Sequence, residues 1–271
     1  MNEGVTLPPV LVEREGPLMI LTLNRPRRLN AFTGAMLAII ADACDAADTD
    51  DEVRCIILTG ADGNFSAGAD LRAMAGDTDD DGAAETRERY ETDPSYVERG
   101  FLKTGRPMKP IIAAVEGVAI AGGTEILLGT DIRVAGESAR FGVSEARWSL
   151  YPLMGSAVRL PRQTSYTKAA EILLTGKHIS AREAEQIGLV GHVVPDGTAL
   201  EKAKEIAAQI CANGPIAVRA ILRTIRETVG LTEAEGFAHE IDRARAVFES
   251  EDSKEGPLAF AEKRAPVYQG R

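Results

Sequence analysis

Apolar and polar positions divide the chain into two halves of different period. Leu18-Met-Ile-Leu-Thr-Leu23 is a continuous apolar run closed by Asn24-Arg-Pro26, which predicts a buried strand, with 10–15 as its neighbour. The stretch 33–47 is alanine-rich and carries Met36, Leu37, Ile40 and Cys44 on one helical stripe, with Thr33 placed to cap it. Strands follow at 53–59, 109–115 and 132–135. The eleven residues 60–70 hold three glycines, Gly60, Gly63 and Gly68, so they predict a loop, and 116–123 reads as a turn into a helix over 124–129. The most polar stretch, 75–98, reads as a solvated loop before a surface helix, with a lid as the alternative. After about residue 156 the pattern becomes helical, at 157–163, 167–175, 181–188, 198–213, 216–229, 232–249 and 255–264, broken only by a short segment at 189–194. The order predicts an α/β core over 1–197 and a helical C-terminal region over 198–271.

Composition changes this picture little, but it removes several functions. With 271 residues, of which 44% are hydrophobic and 27% charged, the chain can bury an ordinary core. A formal net charge of -10 argues against sequence-independent nucleic-acid binding, which needs a cationic surface. It leaves room for a phosphorylated ligand held by a few arginines or lysines. Cys44, Cys55 and Cys211 are scattered and odd in number, which points to a reducing compartment and a cytoplasmic location. Cys44 and Cys55 read as small buried hydrophobes. His178, His192 and His239 show no ligand spacing, so no metal is expected. No 18-residue apolar run exists and the first nine residues lack the pattern of a signal or transit peptide, so no membrane association is expected.

The chemistry concentrates in two glycine-bearing loops. Phe65-Ser-Ala-Gly-Ala-Asp-Leu71 and Ala119-Ile-Ala-Gly-Gly-Thr-Glu125 each follow an apolar strand and each open toward a helix. Backbone N–H groups at a helix start lack intrahelical partners and carry the positive end of the dipole. Two of them converging on one oxygen would stabilise an oxyanion. Glycine-rich turns also occur merely to let backbones pack, and the loops alone leave both readings open.

Both loops, together with Asp131-Ile-Arg133 and Phe141-Gly-Val-Ser-Glu145, resemble in order and spacing the signature of the crotonase (enoyl-CoA hydratase/isomerase) superfamily. The resemblance starts at Asn24-Arg-Pro-Arg-Arg-Leu-Asn-Ala31, continues through Leu174-Thr-Gly176 and residues 184–194, and ends at Phe260-Ala-Glu-Lys-Arg264. It implies a crotonase-type spiral of ββα (strand–strand–helix) units with a helical C-terminal trimerisation region, assembled as a homotrimer or a dimer of trimers. It implies an oxyanion hole built from the N–H groups of Ala69 and Gly122, and two catalytic carboxylates, Glu125 and Glu145. Arg28, Leu29, Ser66, Ala67, Asp70, Leu71, Ile120, Ser144, Leu153 and Lys263 match positions that contact the acyl-CoA substrate, Lys263 sometimes across a subunit boundary. No cofactor is implied, since coenzyme A is part of the substrate.

Both acids together favour hydration of a 2-enoyl thioester, with Glu125 as base and Glu145 as donor of the α-proton. Two carboxylates share such work only if their surroundings hold their pKa values apart. An isomerase using the same enolate, and a catalytically silent acyl-CoA-binding scaffold, are the alternatives. One departure from the short-chain pattern follows Glu145: Ala146-Arg-Trp-Ser-Leu-Tyr-Pro-Leu-Met-Gly-Ser156 is bulkier than the small and aliphatic residues usual there. It resembles actinobacterial paralogues that take bulky acyl groups, including sterol side chains. Trp148 fits either a reshaped acyl pocket or ordinary core packing.

Overall fold

The computed structural model describes residues 7–70 and 83–271. Strands β1 (Val10–Glu15), β2 (Leu18–Leu23), β3 (Cys55–Gly60), β4 (Ile111–Val115), β6 (Ile132–Gly136) and β9 (His192–Val194) make one sheet in the order β1-β2-β3-β4-β6-β9. β1 runs antiparallel to β2, and the remaining neighbours are parallel. A second sheet, ordered β5-β7-β8, joins β5 (Val118–Ile120), β7 (Arg140–Gly142) and β8 (His178–Ser180). The result is an α/β fold with a mixed sheet, as expected.

The parallel strands read as unbroken apolar runs because both of their faces are covered. Met19, Leu21, Leu23, Ile56, Leu58, Ala113 and Val115 point into a core shared with Met36, Leu37 and Ile40 of the helix Gly34–Thr49. The alternate residues Leu18, Ile20, Cys55, Ile57, Ile112, Ala114 and Val134 pack against Ala199, Ala203 and Ala207 of the helix Ala199–Cys211. Small residues at spacing four let that helix lie close on the sheet. The expected division near residue 197 thus falls between β9 and a helix that itself covers the sheet. Thr33 caps the helix Gly34–Thr49, its side chain accepting from Met36 N. Cys44 and Cys55 are buried among apolar neighbours, and burial pushes the Cys44 thiol up to about 12.

Several sequence expectations need correction. The span 116–123 is not simply a turn, because β5 lies within it. The helix expected over 124–129 begins earlier, as Gly122–Leu127. β7 and β8 were not expected at all. Each of these three strands is three residues long, too short to show a period, and each exists through pairing between distant segments. The stretch 75–98 contains the surface helix Ala83–Thr92 and the start of the short helix Tyr96–Gly100, while 75–82 of the expected loop, and Leu71, lie outside the described residues. The Arg89–Asp42 ion pair, 2.6 Å, ties the surface helix to Gly34–Thr49.

Candidate active site

The site grows from the carboxyl ends of β3 and β4, where open parallel sheets place ligands. Beyond Gly60 the chain runs alongside β5: Phe65 N donates to Glu116 O (2.8 Å), Ser66 N to Val118 O (2.8 Å) and Ile120 N to Ser66 O (2.9 Å). On its other side the same loop is held by Phe32 N to Gly68 O (2.8 Å) and Asp70 N to Phe32 O (3.3 Å). Asn30, fully buried, ties the layers together. Its Nδ2 donates to Ala61 O (3.0 Å) and Asn64 O (2.7 Å), its Oδ1 accepts from Arg25 N (2.9 Å), and its carbonyl accepts from Ser66 Oγ (2.8 Å).

This clamping brings the two glycine loops face to face. Gly68 has φ +95°, and a Cβ there would lie 2.8 Å from Ala121 Cβ and Ile120 O and 2.9 Å from Gly122 N. Only glycine fits. A Cβ on Gly122 would stand 3.5 Å from Ala69 N, so the two backbone nitrogens border one small space. Ala121, at φ 52° and ψ −122°, is held in a region that costs a non-glycine residue about 1–3 kcal/mol. That kink ends β5 and starts the helix Gly122–Leu127. Among the described residues, nothing accepts from the N–H of Ala69 or of Gly122.

Glu125 stands in the first turn of the same helix and is buried. Its Oε1 accepts from Ser156 N (3.3 Å) and Ser156 Oγ (3.0 Å). Burial raises its pKa, and the Ser156 bonds oppose the rise. Glu145 opens the 3-10 turn Glu145–Trp148, and its Oε2 is buried with no partner among the described residues. Burial first, and the Glu125 carboxylate second, push Glu145 up to about 7, against the backbone N–H groups of Glu145 and Ser144. A carboxyl group that titrates near neutrality therefore shares the site with a second carboxylate, next to two backbone N–H donors that lie close together.

The expected coenzyme A contacts are placed unevenly. Leu29 and Ala67 are joined by Ala67 N to Leu29 O (3.0 Å), and Arg28 closes the 3-10 turn Pro26–Arg28 beside them. Ser66 is fully buried, its hydroxyl donating to Asn30 O and accepting from Gly68 N (3.1 Å), so it acts as a tie beneath the loop. Asp70 meets Arg25 Nη1 at 3.3 Å, Ile120 ends β5, and Leu153 is exposed beyond Glu145. Lys263 lies on the C-cap of the final helix Asp252–Glu262, away from this group. Among the described residues no cluster of His, Cys, Asp and Glu is arranged to hold a metal ion.

The sequence matches the enoyl-CoA hydratase/isomerase family over residues 13–271. The chain belongs to this family. It is 56% identical to enoyl-CoA hydratase EchA19 of Mycobacterium tuberculosis, over 97% of each chain. It is 36% identical to the 2,3-dehydroadipyl-CoA hydratase of Escherichia coli, covering 97% of this chain and 99% of that one. The solved structure of enoyl-CoA hydratase EchA1 from Mycobacterium marinum superposes with a TM-score of 0.88 at 40% identity, covering 98% of this chain and 100% of the other.

Within this family frame, three polar residues of the site had no signal in the sequence. Ser156 binds Glu125 from 31 residues away, Asn30 binds Asn64 from 34, and His178 Nε2 lies 2.7 Å from Ser144 Oγ. Trp148 is 66% exposed and Tyr151 70%, which decides against core packing of the single tryptophan.

Proposed function

We infer that the protein is an enoyl-CoA hydratase, which adds water across the 2,3 double bond of an enoyl-CoA thioester. The observation that carries this reading is the union of two adjacent N–H groups, Ala69 and Gly122, with the buried carboxylate of Glu125 and the half-buried one of Glu145, both of raised pKa. In the reaction the thioester oxygen takes the N–H bonds of Ala69 and Gly122, which strengthen as negative charge develops on it. Glu125 takes a proton from the water that attacks the β-carbon, and Glu145 gives its proton to the α-carbon. A proton returned from Glu125 to Glu145 resets the pair. The raised pKa of Glu145 suits a donor and the Ser156 bonds suit an ionised base at Glu125.

Arg28, Leu29, Ala67, Asp70 and Leu71 are proposed to follow the coenzyme A moiety, with Ile120, Ser144 and Leu153 toward the acyl group and Lys263 supplied by a neighbouring copy. No further cofactor takes part in this scheme. The assembly is proposed as a homotrimer or dimer of trimers in the cytoplasm. The acyl group is proposed to be bulky, of sterol side-chain size, because Trp148, Leu150, Tyr151 and Leu153 offer exposed apolar surface just beyond Glu145.

The test is to mix the protein with an enoyl-CoA and follow the conjugated thioester absorbance in isotopically labelled water. Loss of absorbance with label in the product is expected. Glu125→Gln and Glu145→Gln should each lower kcat by about 10²-fold or more while substrate still binds. Loss of conjugation without incorporated water would mark an isomerase, and binding without either change a silent scaffold.

A further inference from the structure

The pairing of β7 with β8 sets His178 opposite Gly142, and the imidazole occupies the space a side chain would need there. A Cβ on Gly142 would lie 2.5 Å from His178 Cδ2. Gly142 is also bonded to the oxyanion loop, its carbonyl accepting from Ala121 N (2.7 Å) and its N–H donating to Thr124 Oγ1 (3.1 Å). From the same seat His178 Nε2 reaches Ser144 Oγ at 2.7 Å, and Ser144, itself buried, directly precedes Glu145. One imidazole thus braces the strand under the oxyanion loop and the turn that carries the proton donor.

We propose that His178, acting through its hydrogen bond to Ser144, is a positioning residue that fixes the turn at 144–145 and so the carboxyl group of Glu145. The proposal rests on the hydratase reading of Glu145. Its physical basis is that Glu145 Oε2 has no side-chain partner among the described residues, while the N–H groups of Glu145 and Ser144 favour its charged form. A carboxyl without a side-chain anchor is aimed by the backbone that carries it, and here that backbone is anchored by the Ser144 hydroxyl.

The charges around His178 fit a neutral imidazole. Burial first, and the nearby charge of Arg147 of the 3-10 turn second, lower its pKa. The preceding helix presents the Glu171–Lys177 pair (2.7 Å), which is self-compensated. On β7, Arg140 is directed to Ser138 O and Ala139 O, and at the start of the following helix the Glu183 carboxylate accepts from Ser180 N in the capping box that Ser180 forms. Glu145 is itself pushed up to about 7, chiefly by burial. A neutral ring accepts from or donates to Ser144 without bringing a charge beside the acid.

The experiment compares His178→Ala, Ser144→Ala, the double variant and His178→Gln with the wild type across pH, using an enoyl-CoA that the wild type hydrates. His178→Ala and Ser144→Ala are expected to lower kcat by about ten- to a hundredfold through misplacement, with KM of His178→Ala, which touches no substrate, changed by less than about threefold. The double variant should be no worse than either single variant, because one bond is being removed twice. Releasing the N–H groups should also raise the pKa of Glu145, so the alkaline limb of the rate profile moves up by as much as about one pH unit. A merely structural defect would lower the rate at every pH and leave the limb in place. Gln retains a group at the Nε2 position and should restore turnover to within a few-fold. His178→Ala at wild-type rate, additive losses in the double variant, or an unmoved limb would overturn the proposal while leaving Glu145 as donor. Wild-type turnover by Glu145→Gln would remove the reading of Glu145 and the proposal with it. If His178→Ala does not fold, Ser144→Ala and His178→Gln carry the same comparison.

Discussion

Ionising Glu145 places a charge beside Glu125 in a site that burial has already dried, and that penalty reaches folding as well as catalysis. Its folded pKa is raised from 4.5 to about 7, so between those values the native state keeps a proton that the unfolded chain has released. Stability therefore falls as pH rises through that window, and above about pH 7 the penalty is constant. Glu145→Gln should melt at a higher temperature than the wild type at pH 8, with the two curves converging below pH 4.5. A Tm difference that is independent of pH would contradict the assignment. The same shift places the alkaline limb of kcat/KM near pH 7, with an acid limb above the ordinary glutamate range, because burial also raises Glu125. The glycines give a second residue-scale prediction. A Cβ on Gly122 meets only the rim of the Phe101 ring, at 3.1 and 3.4 Å, before Ala69 N. Gly122→Val should thus keep the fold by circular dichroism and lose about 10²–10³-fold or more in kcat by covering the hole. Gly68→Ala meets backbone on two sides at positive φ and should lose stability as well. Activity of Gly122→Val within a few-fold of wild type would place the oxyanion hole elsewhere.

At the scale of elements, what the sequence disclosed and what it hid have one physical origin. The runs at 18–23 and 111–115 were legible because burial on both faces demands unbroken apolar residues, and the Thr33 cap because it acts three residues along its own chain. β5, β7 and β8 were hidden because three-residue strands carry no period. Asn30, Ser156 and His178 were hidden because a lone polar residue does not announce a partner about 30 residues away. Asp131 and Arg133 stood in the motif without a stated role. Arg133 is buried and donates to Leu127 O (2.7 Å), Leu189 O and Thr130 O, closing the end of the helix that begins at Gly122. Asp131 binds Ile111 N (2.8 Å) and Arg226 (2.6 Å). Both hold the site from behind. The segment after Glu145 carries exposed apolar side chains. Its exposed tryptophan, tyrosine and leucines can gain apolar contact only from something placed on them, and each CH₂ buried is worth about 0.8 kcal/mol. An acyl group covering several more methylenes than crotonyl should gain about tenfold or more in kcat/KM. Trp148→Ala should remove that gain while sparing crotonyl-CoA. A panel in which crotonyl-CoA is turned over best would leave an ordinary short-chain hydratase.

At the scale of the molecule, the last helices are built differently from the rest. The helix Pro215–Glu227 exposes Ile221 and Ile225, one turn apart, and Glu233–Phe248 exposes Phe237, Ile241 and Phe248. Such apolar repeats at spacing four, on neighbouring helices, fit burial against other copies of the chain. The chain end supports the proposal that a neighbour completes the site. Arg54, just before β3, donates to Cys211 O (3.1 Å) and Tyr268 O (3.0 Å), which anchors the C-terminal segment at the start of the strand whose other end leads into the oxyanion loop. Lys263 is carried with that segment, at the C-cap of Asp252–Glu262, which is the basis for proposing that it serves a neighbouring copy. Sedimentation should give a trimer or a dimer of trimers, and Ile225→Asp with Phe248→Asp should dissociate it. Lys263→Ala in the intact assembly should raise KM for the acyl-CoA with little change in kcat, since a phosphate contact binds substrate and transition state alike. In the dissociated variant, Lys263→Ala should change nothing further, because the lysine is already absent from every site. A monomeric wild type of full activity, or an equal effect of Lys263→Ala in both backgrounds, would show that each chain builds its coenzyme A site alone.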